Sequence, residues 1–154
     1  MKRFGVFLLP LLVALGIQTA HAVDQAFTVD MEIRQAIAIA VVRSSLNFGV
    51  IDSQALAMTV NADNSGIHTA GVGADSAYFT VQGNLGDSAN VSVTTPIFFG
   101  LTNPVNLTVS GGGTVGPFVA APLDVFVGGT FLLDIGDAAA VYSAPATLTV
   151  VYVP

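Results

Sequence analysis

Very few side chains in this sequence could carry out acid–base or nucleophilic chemistry. After residue 22 the chain has one histidine, His68, one glutamate, Glu32, and neither cysteine nor lysine. A serine–histidine–aspartate arrangement could use only His68, and a lone histidine next to Thr in a turn-flanked strand is more often simply exposed. We therefore predict no catalytic residues and no enzymatic activity.

Two stretches look at first like ligand sites. Asp124, Asp134 and Asp137 lie near glycines, and carboxylates at turns can bind Ca²⁺, but their spacing matches no calcium loop. Aspartates at turns commonly bond their own backbone instead. The run SGGGTVG (110–116) shares only its glycines with a phosphate loop, since no Lys-Ser/Thr follows, and it predicts a hairpin turn. We expect no metal and no cofactor.

Residues 1–22 have the three parts of a secretory signal peptide. Lys2 and Arg3 precede the apolar stretch 4–17, and Ala20-His21-Ala22 has the small-x-small pattern of a cleavage site. The apolar stretch is shorter than the roughly 20 residues of a bilayer span, although a membrane anchor is the alternative. We expect export and a mature chain that begins at Val23.

The mature chain is acidic and apolar. It keeps all ten acidic residues but only two basic ones, Arg34 and Arg43, so its net charge is near −8 (two minus ten). Nucleic acid and anionic membrane surfaces are poor partners, because both require clustered Lys and Arg. A chain with 53% hydrophobic residues is too apolar to be disordered, and the absence of cysteine excludes thiol redox chemistry. No second apolar segment is long enough to span a membrane.

Short runs of alternating apolar residues, separated by turn residues, predict an all-β fold. The predicted strands are 46–51, 56–60, 77–82, 89–94, 106–110, 123–127, 130–135 and 146–153, with Gly128-Gly129 as a turn. Helical periodicity is nearly absent, and only residues 138–141 could form one helical turn. Strands at a spacing near ten residues indicate an antiparallel sandwich or barrel.

The longest alternation is FTVDMEIRQAIAIAVV (27–42). Apolar side chains occupy every second position except at Gln35, and they are Phe27, Val29, Met31, Ile33, Ile37, Ile39 and Val41. Such alternation is typical of a strand with one buried face. Strands usually have about 5–6 residues, so this stretch is long enough for two or three.

Four segments resemble one bacterial family of secreted domains of unknown function, number four-four-zero-two, which is similar to pilin-like and spore-coat-U-like surface proteins. They are LNFG (46–49), AYFTVQG (77–83), PLDVFVGGTFLLDIG (122–136) and VYSAPATLTVVYV (141–153). The resemblance implies an immunoglobulin-like antiparallel β-sandwich. It also implies export through the inner membrane to the periplasm, then the cell surface or the medium, and a structural role in a fimbria-like fibre or envelope coat. It supplies no catalytic residues.

Pilin-type sandwiches assemble by donor-strand complementation, in which a segment of one subunit completes the sheet of the next. Phe27, Val29, Met31 and Ile33 suit a donor strand, within an extension of residues 23–34 that precedes a sandwich domain of residues 35–154. In the alternative, residues 26–42 form one long or bent strand inside a closed sandwich.

The expected partners are further copies of this chain or related subunits, with a periplasmic chaperone and an outer-membrane usher as assembly factors. The competing function is a secreted monomeric binding module, an adhesin or a carbohydrate-binding domain. Against it, the chain has no Trp and only three Tyr, at positions 78, 142 and 152, to stack on a sugar.

Overall fold

A computed structural model describes residues 28, 31–51, 56–66 and 68–154. Ile33–Pro154 form one compact unit. Its strands are β1 (Ala38–Arg43), β2 (Leu56–Val60), β3 (Ala77–Gln82), β4 (Ala89–Val93), β5 (Asn106–Val109), β6 (Thr114–Val115), β7 (Leu123–Leu133) and β8 (Leu148–Tyr152), with one short 3₁₀ turn (Ser110–Gly113). The prediction of an all-β chain with antiparallel sheets is confirmed. None of the helical structure in these ranges is long and apolar enough to cross a membrane.

The larger sheet is built around β7. One edge of β7 pairs first with β2 and then with β3. Val60, at the end of β2, lies opposite Gly129, and Ala77, at the start of β3, lies opposite Val127. The other edge pairs with β5, and β1 pairs with the far side of β3. Since β2 and β3 run in the same direction along one edge of β7, they act as one interrupted strand, and residues 61–76 leave and rejoin the sheet between them.

The smaller sheet has the order β6-β4-β8, again antiparallel. The two sheets share a core, in which Val81 and Val125 of the larger sheet meet Ala89 and Val91 of the smaller one around Phe118. Side chains of β8 pack against the same cluster. Two antiparallel sheets with a common apolar core are consistent with a β-sandwich.

The prediction of a turn at Gly128-Gly129 is wrong, because both glycines lie inside the eleven-residue strand β7. A Cβ added to Gly128 would come within 2.2 Å of the Val60 carbonyl oxygen, at the point where the chain leaves β2. Glycine is therefore required at position 128 because the backbone at Val60 approaches so closely. Close approach of another backbone is a common reason for a glycine inside a strand.

The glycine run 111–113 does not close a hairpin either. Strand β5 before it pairs with β7 in the larger sheet, and β6 after it pairs with β4 in the smaller sheet. Gly111, Gly112 and Gly113 have φ values of 67°, 69° and 87°, a region that residues with a side chain rarely adopt. The run thus carries the chain from one sheet to the other.

Three further predicted elements differ in extent. Within 31–43, residues 31–37 are not in a strand and regular pairing begins at Ala38. The predicted strand 46–51 forms only isolated bridges, from Asn47 to Asp75 and from Val50 to Val72. Residues 138–141 form no helical turn.

Candidate functional site: an open groove beside the last strand

The inward face of the first strand is left uncovered. Ile39 lies opposite Val81 and Val41 lies opposite Phe79, so both point to the same side as residues that contact the core. Yet Ile39 is 43% exposed and Val41 is 60% exposed, whereas Val81 is fully buried. In the described part of the chain, the smaller sheet ends at β8.

The outer edge of β8 has no partner strand among the described residues. Thr147 and Val153, just outside the strand, both bond towards β4, to Thr94 and to Ser88 at 3.0 and 2.9 Å. Because backbone groups alternate in direction along a strand, the N–H and C=O groups of Leu148, Val150 and Tyr152 point to the open edge. Edge strands are usually protected by charged residues or proline, and β8 contains neither.

A groove of about 1050 Å³ opens between residues 44–51, which follow β1, and residues 137–148, which lead into β8. Its lining includes Phe48, Phe79, Phe99, Phe131 and Leu148. This volume is at the upper end of the roughly 300–1,000 Å³ of small-molecule pockets. Its walls are mainly apolar, and one of them continues into the unpaired backbone edge of β8.

The floor of the groove belongs to a second apolar cluster. Met58, Ile97, Val105 and Phe131 are buried there, while Phe48, Phe99 and Leu101 pack against them and remain partly exposed. Phe48 and Phe131 make an edge-to-face contact with their ring centroids 4.8 Å apart. These half-covered rings could be buried further by apolar side chains that enter the groove.

The structure describes two of the four predicted donor residues. Met31 is 80% exposed and Ile33 is 81% exposed, and neither lies in a strand. Phe27 and Val29 lie outside the described residues. The domain's own first strand uses the second half of the alternation, with Ile37 packed against the core and β1 beginning at the next residue.

The start of the compact unit is held by Tyr152. Its hydroxyl donates to the carbonyl oxygen of Gln35 at 2.6 Å and accepts the N–H of Asn84 at 2.7 Å. The guanidinium of Arg34 lies 5.8 Å from the centroid of the same ring and 3.8 Å from a carboxylate oxygen of Asp87.

His68, expected to be simply exposed, is half-buried. His68 accepts the N–H of Asn61 on Nδ1 at 3.1 Å, and its Nε2 is buried without a hydrogen-bond partner. The described residues contain no group of three or more His, Cys, Asp or Glu side chains that could hold a metal ion.

Asp137 bonds the backbone, as aspartates at turns do. One oxygen accepts both the N–H and the hydroxyl of Thr102, and the other accepts the N–H of Asp134 at 2.9 Å. These hydrogen bonds, led by the one from the Thr102 N–H, lower the pKa of Asp137. Asp124 lies elsewhere, on β7, where it accepts the hydroxyl of Tyr78.

The uncovered face of β1 was not predicted from the sequence. Ile39 and Val41 were expected to form the buried face of a first strand, and the pattern alone does not show that the opposite sheet stops short. Comparisons with protein-family models, with curated proteins and with solved structures find no match for this chain. The arguments that follow therefore rest on the geometry of the groove and on the sequence.

Proposed function

We propose that this protein is a non-enzymatic structural subunit of a bacterial surface fibre or envelope coat, and that it assembles by strand addition. In this assembly, residues 27–33 of one copy enter the groove of the next copy and pair with the open edge of β8. The supporting observation is the pair Ile39 and Val41, which face the core side but are exposed at 43% and 60%. A strand added beside β8 would cover both.

The order of the described strands supports an immunoglobulin-like sandwich. That fold has one sheet in the order A-B-E-D and another that contains C, F and G. Strands β1, β3, β7 and β5 follow the first order, and the neighbours β4 and β8 take the places of C and F. No described strand takes the place of G, which would lie beyond β8.

The segment 27–33 has the chemistry to fill that place. Phe27, Val29, Met31 and Ile33 alternate with polar residues, as a strand with one buried face requires. Burial of four such side chains is worth about 1.5–3 kcal/mol each, or about 6–12 kcal/mol in total. Association and ordering cost a similar amount, so backbone hydrogen bonds to the edge of β8 must add to this burial to hold copies together without covalent bonds.

The alternative of a secreted binding module has less support in the described surface. Tyr78 and Phe126 stack on each other on the outer face of the larger sheet, with ring centroids 4.6 Å apart, so each ring already uses one face. The hydroxyls of Tyr142 and Tyr152 bond to backbone carbonyls within the domain. All three tyrosine hydroxyls already donate a hydrogen bond within the domain, to Asp124, Ala138 and Gln35.

A variant that can accept a strand but cannot donate one tests the proposal. Met31→Asp in the mature chain places a charge on the donor face and leaves the groove intact. A peptide of residues 26–34 should bind this variant with one-to-one stoichiometry in calorimetry, and the same peptide with Asp in place of Met31 should not. If neither peptide binds the correctly folded variant, strand addition is not how this protein assembles.

A further inference from the structure

We infer that the incoming strand pairs with a longer edge than β8 alone, formed by residues 142–152, and that residues 142–147 extend β8 on docking to complete this edge. This inference rests on the proposed function and specifies where the partner strand binds. The partner is a second copy of this chain, through the segment that ends at Ile33.

The backbone of residues 139–146, which precede β8, is not paired with another described strand. They are assigned to no helix or strand, and between described residues they make no backbone-to-backbone hydrogen bond. Their side chains nevertheless continue the alternation of β8. Tyr142 and Ala144 are half-buried, as are Leu148, Val150 and Tyr152, whereas Ala146 and the odd-numbered positions between them are exposed. Ala144 packs against the apolar cluster that floors the groove.

The direction of the backbone groups also suits a partner on this side. Thr147 bonds to Thr94 of the smaller sheet, so when residues 142–146 extend β8 in register, the odd-numbered ones point their N–H and C=O groups towards β4. Pro145 has the same parity, and the N–H that it lacks would point away from the open edge. The even-numbered residues from 142 to 152 therefore offer an edge with no proline gap.

The lengths match as well. Residues 142–152 and residues 23–33 are both eleven residues long, which is roughly 36 Å of strand at about 3.3 Å per residue. β8 alone has five residues and would pair with fewer than half of those in such a segment. The groove itself is lined along residues 137–148, beyond the start of β8.

A pair of proline variants tests whether the incoming strand pairs with all of residues 142–152 or with β8 alone. In the donor-deficient Met31→Asp chain, Ala144→Pro removes an N–H that points to the incoming strand. Ser143→Pro, the matched control, removes one that points towards β4 and has no backbone partner. Both residues lie in the same stretch, and proline is compatible with an extended backbone.

The probe is a peptide of residues 23–33, measured by calorimetry and amide hydrogen exchange. We expect Ala144→Pro to weaken peptide binding by roughly three- to tenfold, the loss of one hydrogen bond, and Ser143→Pro to weaken it clearly less. In the parent variant the amides of Tyr142, Ala144 and Ala146 should gain protection together with those of Leu148 and Val150. Equal binding by both proline variants, with new protection confined to β8, would overturn the longer edge and leave the proposed function standing. No binding to the parent variant at all would instead refute both.

Discussion

The hydroxyl of Tyr152, at the end of the last strand, donates a 2.6 Å hydrogen bond to the carbonyl of Gln35, 117 residues earlier in the chain. The same oxygen accepts the N–H of Asn84, and the ring packs edge-to-face on Phe118 with centroids 6.1 Å apart. Tyr152 therefore fastens the start of the compact unit to β8 and to the core. It also fixes where an N-terminal donor segment would have to leave the domain.

Tyr152→Phe should destabilise the domain, because it removes both hydrogen bonds and keeps the ring. The part-buried N–H of Asn84 loses its acceptor, at a cost of about 1–3 kcal/mol in the free energy of unfolding, whereas water can replace the exposed bond to the Gln35 carbonyl. Urea denaturation followed by circular dichroism measures this change. Tyr142→Phe is the matched control, since its hydroxyl bonds the exposed carbonyl of Ala138, only four residues away, and we expect it to cost less than about 0.5 kcal/mol. Equal costs for the two variants would contradict the role given to Tyr152.

The donor face should matter for assembly and hardly at all for folding of the domain. Val29→Asp would place an unpaired charge in the neighbour's groove, at a cost of several kcal/mol, and should abolish higher oligomers. Thr28→Asp, on the opposite face of the same segment, should leave assembly nearly unchanged. Light scattering coupled to size-exclusion chromatography compares their masses, and denaturant melts show whether folding is preserved. A Val29→Asp chain that unfolds would indicate that residues 27–33 belong to the domain's own core.

The acceptor face gives the complementary result. Val41→Asp puts a charge on the uncovered inward face of β1, and should weaken binding of the peptide of residues 26–34 at least tenfold. Ala40→Asp, on the outer face of the same strand, is its control. Fluorescence anisotropy with a labelled peptide measures both affinities. Identical affinities for the two variants would show that the incoming strand does not lie over β1.

The stability that Asp137 contributes should depend on pH. Hydrogen bonds from the Thr102 N–H and then the Asp134 N–H lower the pKa of this carboxyl group in the folded chain. A lowered folded-state pKa means that the contribution is present above the unfolded pKa, near 4, and is lost as pH falls through the folded value. Asp137→Asn should thus be less stable than the wild type at pH 6, and the gap should narrow below about pH 4. A gap in urea midpoints that stays constant over this range would contradict this.

The sequence predicted those elements that are determined by local alternation. Strands β2 and β3 match the predicted ranges because each is bounded by turn residues and has period-two side chains. Gly128 misled the prediction, because the reason for a glycine there is the approach of Val60, which is far away in sequence. The glycines at 111–113 also misled the prediction. A run of glycines suggests a hairpin turn, and only the tertiary structure shows that β5 and β6 belong to different sheets.

The local sequence pattern could not predict that the inward face of β1 is uncovered. The alternation at Ile39 and Val41 correctly places them on one face of a strand, but their exposure depends on where the opposite sheet ends. That end is set by the pairing of β4 with β8, about sixty residues apart along the chain. The donor segment could be proposed from residues 27–33 alone, because a terminal alternating stretch is a local signal.

The most direct measurement of strand exchange between copies uses the absence of cysteine. Two single-cysteine variants of the mature chain, Met31→Cys on the donor face and Val41→Cys on the acceptor face, are mixed and treated with a short thiol-reactive cross-linker. A length tag on one variant distinguishes the products. The account predicts a cross-link between the two different chains, abolished when the donor variant also carries Val29→Asp. A stable monomer that forms no cross-link on mixing, while a single chain carrying both cysteines cross-links within itself when dilute, would contradict the account.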